Sequence, residues 1–134
     1  MGSSRMTPKT ERRLLQAAVL VAGIVPVSAG AAGVILGARM AGGGSIALDS
    51  HVRYLSGLLL GIGLVFWGMV PGIERHKLIV RVLTVLVVIG GLGRMLGVFV
   101  AGTPSAPMAA ALGMELVVTP LLCLWQSRIA RLAI

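Results

Sequence analysis

The sequence predicts an all-α bundle of four membrane-crossing helices, on three observations. Of 134 residues, 57% are hydrophobic and only 12% charged, with a mean hydropathy of +0.98, which is too apolar for an ordinary soluble domain. Uncharged or nearly uncharged apolar stretches, each near the ~20 residues that cross a hydrocarbon core, fall at about 14–37, 53–70, 78–100 and 108–125. No alternating apolar and polar pattern offers a strand in their place. No polar block is long enough for a separate soluble domain, so residues 1–134 are expected to form a single integral membrane domain.

The segment before the first span carries Arg5, Lys9, Arg12 and Arg13 against Glu11, the composition of a cytoplasmic flank. Leu14 to Gly37 follows, interrupted mainly by Gln16 and Pro26. Pro26 is expected to kink this helix, and Gly30, Gly33 and Gly37 to admit a neighbouring backbone. A cleaved signal peptide is the rival reading: a basic start, apolar Leu14 to Val25 and the small-residue sequence Val27-Ser28-Ala29 imitate its three regions. The apolar run nevertheless continues through Ala31, Val34, Ile35 and Leu36 to the length of a span, which favours retention.

Ala41-Gly42-Gly43-Gly44-Ser45 makes a loop, because consecutive glycines lose too much backbone entropy to stay helical. Asp49 or Ser50 is expected to cap the second helix by accepting a free backbone amide. Pro71-Gly72 stops that helix, Ile73 to Lys77 forms a charged turn, and the third span starts near Leu78. An uncharged connection, Ala101 to Pro107, leads to the fourth span, which Arg128 and Arg131 follow.

Basic residues orient such a bundle. Arg5, Lys9, Arg12 and Arg13, then Arg75, Lys77 and Arg81, then Arg128 and Arg131 fall on one side, against Arg39 and Arg53 on the other. Both termini are therefore expected in the cytoplasm, in a multi-pass protein of the bacterial inner membrane. Trp67 and Trp125 fall near inner helix ends and Tyr54 near an outer one, as interfacial anchors do.

Two charges do not fit a purely apolar bundle. Arg94 lies six residues before Val100, about 9 Å below the outer end of its helix, and Glu115 lies eight residues after Pro107, about 12 Å from the same side. An unpaired charge in hydrocarbon costs roughly 2.5–3.5 kcal/mol, so these two are expected to pair. Gly90, Gly93, Arg94 and Gly97 are expected to share a packed inner face. On the second helix Arg53, Gly57, Gly61, Leu64 and Gly68 follow one stripe, so Arg53 is expected above a glycine groove. With Asp49, His51, Tyr54 and Ser56 at the mouth, Arg53, Arg94 and Glu115 are expected to converge on one polar site in the outer half of the bundle.

Arginine suits carboxylate or phosphate, since its planar fork offers paired donors. The expected role is binding of a small amphipathic or anionic ligand, or a membrane-accessory function, without catalysis. The alternatives are a proton-coupled transporter or efflux helper using Glu115 and His51, and a purely structural subunit in which Arg94 and Glu115 form a clasp. A homodimer through glycine faces is compatible with each. The net charge of +8 does not indicate nucleic acid, because the basic residues flank apolar segments without interleaved aromatics. One cysteine, Cys123, allows no intramolecular disulfide. No cofactor or metal is expected, since Asp49 and His51 have only His76 to join them and that residue falls on the other side. His51 and Ser56 are joined by no catalytic motif, and no glycine stretch has the lysine of a phosphate loop.

His51-Val52-Arg53-Tyr54-Leu55-Ser56-Gly57, then Gly91-Leu92-Gly93-Arg94, Gly102-Thr103-Pro104 and Glu115, resemble in order the bacterial domain-of-unknown-function family numbered four-three-four-five. The resemblance runs from about Leu14 to Arg128. It implies a small four-helix inner-membrane protein, and it brings no activity, ligand or catalytic residue.

Overall fold

The computed structural model describes residues 7–102 and 104–132. Helices α1 (Pro8–Leu36), α2 (Ile46–Met69), α3 (Lys77–Ala101), α4 (Ala106–Gly113) and α5 (Thr119–Leu132) follow in order. A π-helical turn at Met114–Val118 joins α4 to α5, making one helical stretch, Ala106–Leu132. Short 3-10 helices at Gly37–Ala41 and Val70–Arg75 follow α1 and α2. The fold is all-α, with four helices long and apolar enough to cross a membrane.

Helix α1 begins at Pro8, ahead of its apolar part, because proline suits a first helical position where its missing N–H has no partner to lose. Pro26 lies inside α1 without ending it. Helix α2 begins earlier than its sequence suggests. Its cap is Ser45, whose hydroxyl accepts the Leu48 amide at 3.1 Å, and not Asp49 or Ser50. The glycine run ends at Gly44, so the first residue able to offer a capping oxygen takes the position. Asp49 is thereby freed for a tertiary role. At the other end, Gly72 leaves helical geometry directly after Pro71, as expected of a stop.

The chain packs as two compact units, one made of residues up to Ala18 together with those from Gly72 onward, the other of Val19–Pro71. The second unit is a helical hairpin whose seam pairs glycines with side chains. A Cβ added at Gly23 would meet the Trp67 indole, one at Gly30 the Leu60 backbone at 2.6 Å, one at Gly33 the Ser56 side chain, and one at Gly37 Asp49 and Arg53. Gly63 receives Val27 in return, with a Cβ there only 2.7 Å from Val Cγ2. The α1 partners ascend as the α2 partners descend, so the helices are antiparallel. Each step is three or four residues, which places one face of each helix on the seam. Trp67 locks the register by donating its indole N–H to the Leu20 carbonyl at 3.0 Å.

This register corrects the expected glycine stripe. Arg53, Ser56, Leu60, Gly63 and Trp67 face α1, while a Cβ added at Gly61 or Gly68 would meet nothing within 4 Å and one at Gly57 would make only an ordinary contact with Val34 at 3.8 Å. The stripe of Gly57, Gly61, Leu64 and Gly68 is displaced by one residue, a rotation of about 100° round the helix.

The first unit is built on the start of α1, helix α3 and the Ala106–Leu132 stretch. Leu15, Ile73, Val80 and Ile129 form its buried apolar centre. On α3 the close approach falls at Gly91, where a Cβ would lie 2.8 Å from Leu116 and 3.0 Å from Glu115; Gly90, Gly93 and Gly97 are open. Gly91 precedes Arg94 by three residues and so shares its face, and the reach of Glu115 to Arg94 draws Leu116 down over it.

Candidate functional site

Arg94 and Glu115 meet in the first unit as a two-pronged pair. Arg94 Nε donates to Glu115 Oε2 at 3.2 Å and Nη2 donates to Oε1 at 3.0 Å. The geometry uses the planar fork that lysine lacks. Glu115 sits in the π turn, for which Pro120 supplies a cause. With no N–H, Pro120 cannot bond the carbonyl four residues back, and its ring crowds that carbonyl. The backbone N–H and hydroxyl of Thr119 both turn to the Met114 carbonyl, the latter at 2.8 Å, giving a wider turn. The Arg94 side chain keeps 36% of its surface exposed against 16% for Glu115. Its Nη1 has no hydrogen-bond partner among the described residues.

Asp49 and Arg53 meet in the second unit. Arg53 Nε donates to Asp49 Oδ2 at 2.8 Å, while Nη1 donates to the carbonyls of Val34 at 2.6 Å and Ile35 at 3.2 Å. Those carbonyls belong to the last turn of α1, where backbone acceptors lack intrahelical donors. Asp49 Oδ1 in turn accepts the Ala38 amide at 2.8 Å. The pair therefore grips both backbone polarities of the turn that leaves α1. Gly37 makes this possible: its φ is +58°, and a Cβ there would strike Asp49 Oδ1.

The expected site residues thus resolve into two ion pairs, each within one unit. Of the rest, Ser56 packs over Gly33, and the side chains of His51 and Tyr54 are exposed without a hydrogen bond among the described residues.

Sequence reasoning missed a third cluster, also in the first unit. Glu11 is buried and accepts from the Trp125 indole at 3.1 Å, with Arg128 Nε also 3.1 Å away. Arg12 Nε lies 2.8 Å from Glu74 Oε2, and the buried Gln126 donates to the Ile73 carbonyl at 2.7 Å. Every one of the chain's four acids consequently has an arginine within ion-pair distance. Counting the basic ends for orientation hid this, since Arg12 and Arg128 are structural partners as well as flanking charges. The rarity of acids beside 12 basic residues was the available signal.

Four long apolar helices, with arginine–carboxylate pairs at their turns and between them, define a class of small helical protein able to cross a membrane several times. The chain belongs to the family described as domain of unknown function DUF4345, whose model matches residues 14–126. The match takes in Asp49, Arg53, Arg94 and Glu115 and leaves Glu11, Arg12 and Arg128 outside it. No curated protein and no solved structure matches the chain.

Proposed function

We propose that this is a multi-pass protein of the bacterial inner membrane, with both termini in the cytoplasm, that binds a small anionic amphipathic ligand through Arg94 and performs no catalysis. Insertion is supported by the outward apolar faces of the long helices, where Val21, Ile35, Leu78, Leu96, Phe99 and Val100 are all exposed. Water-soluble monomers rarely leave apolar surface on this scale.

The observation that carries the ligand reading is the unused donor of Arg94. The residue lies seven positions before the end of α3, about 10 Å along the helix axis. At that depth a guanidinium N–H without an acceptor is costly, and a carboxylate or phosphate would satisfy it. Glu115 balances the charge and holds the fork in orientation. The π turn that carries Glu115 adds support, since such turns recur at functional sites.

The test uses the purified full chain in lipid nanodiscs, with laurate as anionic probe and dodecanol as its neutral counterpart. Wild type is expected to prefer laurate, and the charge-neutral Arg94→Gln/Glu115→Gln variant to lose that preference while retaining its helical circular dichroism. Equal binding of the two probes, or a preference that survives in the variant, would overturn the reading.

A purely structural reading is favoured for Asp49 and Arg53. Their side chains already engage each other, one amide and two carbonyls, which is the work of a clasp.

A further inference from the structure

The first turns of α1 and the last turn of α5 leave between them a groove of about 120 Å³, lined by Pro8, Lys9, Arg12, Ile129 and Leu132. Its lining is almost wholly apolar: Pro8, Ile129 and Leu132 form the walls with the aliphatic stems of Lys9 and Arg12, whose charged ends lie outside the lining. Arg12 is held by Glu74, but Lys9 is exposed and has no carboxylate within ion-pair distance among the described residues. Arg13, Lys77, Arg81 and Arg131, in the same unit, are equally uncompensated there. The two acids of this region, Glu11 and Glu74, are already engaged by Arg128 and Arg12. The described residues of the unit that holds the groove thus carry surplus positive charge.

We propose that this groove takes the glycerol and first methylenes of an anionic phospholipid, whose phosphate meets the exposed Lys9 ammonium beside the groove. Charge complementarity selects an anion, and the walls select one joined to hydrocarbon. The groove also lies at the ends of helices able to cross a membrane, where headgroups would be found. The proposal rests on the membrane-inserted reading above, but not on a ligand at Arg94. It concerns residues that flank the segment defining the family, since Pro8, Lys9, Arg12, Ile129 and Leu132 all fall outside residues 14–126. Basic side chains beside a membrane helix attract anionic lipid by roughly fivefold each, and salt screens that attraction.

Native mass spectrometry of the full chain, released from neutral detergent with equal phosphatidylglycerol and phosphatidylcholine, tests this. Phosphatidylglycerol should be retained about fivefold or more over phosphatidylcholine, less so as ionic strength rises. Lys9→Glu should remove most of that preference, and the milder Lys9→Gln should act in the same direction should charge reversal disturb α1. Arg94→Gln/Glu115→Gln should keep it, which separates this groove from the Arg94 site. Equal retention of both lipids, indifference to both Lys9 changes, or displacement of phosphatidylglycerol by millimolar inorganic phosphate would overturn the assignment. Release of the chain from vesicles by alkaline carbonate would instead defeat the membrane reading beneath it.

Discussion

Asp49–Arg53 and Arg94–Glu115 use the same two functional groups and end in different states. In the first pair the arginine also serves two carbonyls of a helix end, and the carboxylate also serves an amide. In the second, the arginine serves its carboxylate alone; each arginine leaves one terminal nitrogen, Arg53 Nη2 and Arg94 Nη1, without a hydrogen-bond partner among the described residues. The difference follows from backbone supply. Where a helix terminates, orphan amides and carbonyls add to the pair's hydrogen bonding; along the interior of α3 the backbone bonds within the helix and has nothing to offer Arg94. A pair at a turn is thereby a local clasp on the backbone, and a pair between helix interiors engages only its own two side chains.

Removing one member of the interior pair should cost most. Arg94→Leu leaves Glu115 charged and largely buried, which we expect to destabilise the protein by about 3 kcal/mol in a denaturant titration of the micelle-bound chain. Arg94→Leu with Glu115→Leu removes both charges and should recover all but about 1 kcal/mol, because replacing a whole buried pair by apolar groups is often nearly neutral. Additive costs in the double variant would show that the two residues act apart.

The Gly37 turn should come next. Gly37→Ala places a side chain where φ is positive and where Asp49 Oδ1 stands, so a loss of about 2 kcal/mol is expected from backbone strain and crowding together. A loss as small as an ordinary surface change would mean that the Asp49–Arg53 clasp re-forms around a shifted turn.

How far these features were legible depended on whether they were local. Four apolar stretches, the glycine loop and the Pro71-Gly72 stop could be read from composition and spacing. So could the pairing of Arg94 with Glu115, because only one opposite charge lay at a matching depth on the neighbouring helix. The capping of α2 by Ser45 was missed because Asp49 is also a good cap by type, and only the tertiary demand at Ala38 shows why it was not used. Likewise Gly91 and Gly63 could not be chosen over Gly90, Gly93 or Gly61 by periodicity. With glycines on several faces, the partner's side chains decide which face is approached. Pro120 was visible, yet its consequence for Glu115 depends on how Thr119 redirects its bonds to Met114.

The smallest expected effect sharpens the comparison most, because it asks which of Arg53's partners matter. Arg53→Leu withdraws the donors from the Val34 and Ile35 carbonyls, and with the side chain 42% exposed, water can replace part of what is lost; about 1 kcal/mol is expected. Arg53→Lys keeps the charge opposite Asp49 but cannot hold the carboxylate and both carbonyls in one plane. If the helix-end carbonyls are what the clasp serves, Lys should be nearly as damaging as Leu. If the ion pair is what matters, Lys should restore wild-type stability, and Asp49–Arg53 would then be a surface pair with no claim on the turn.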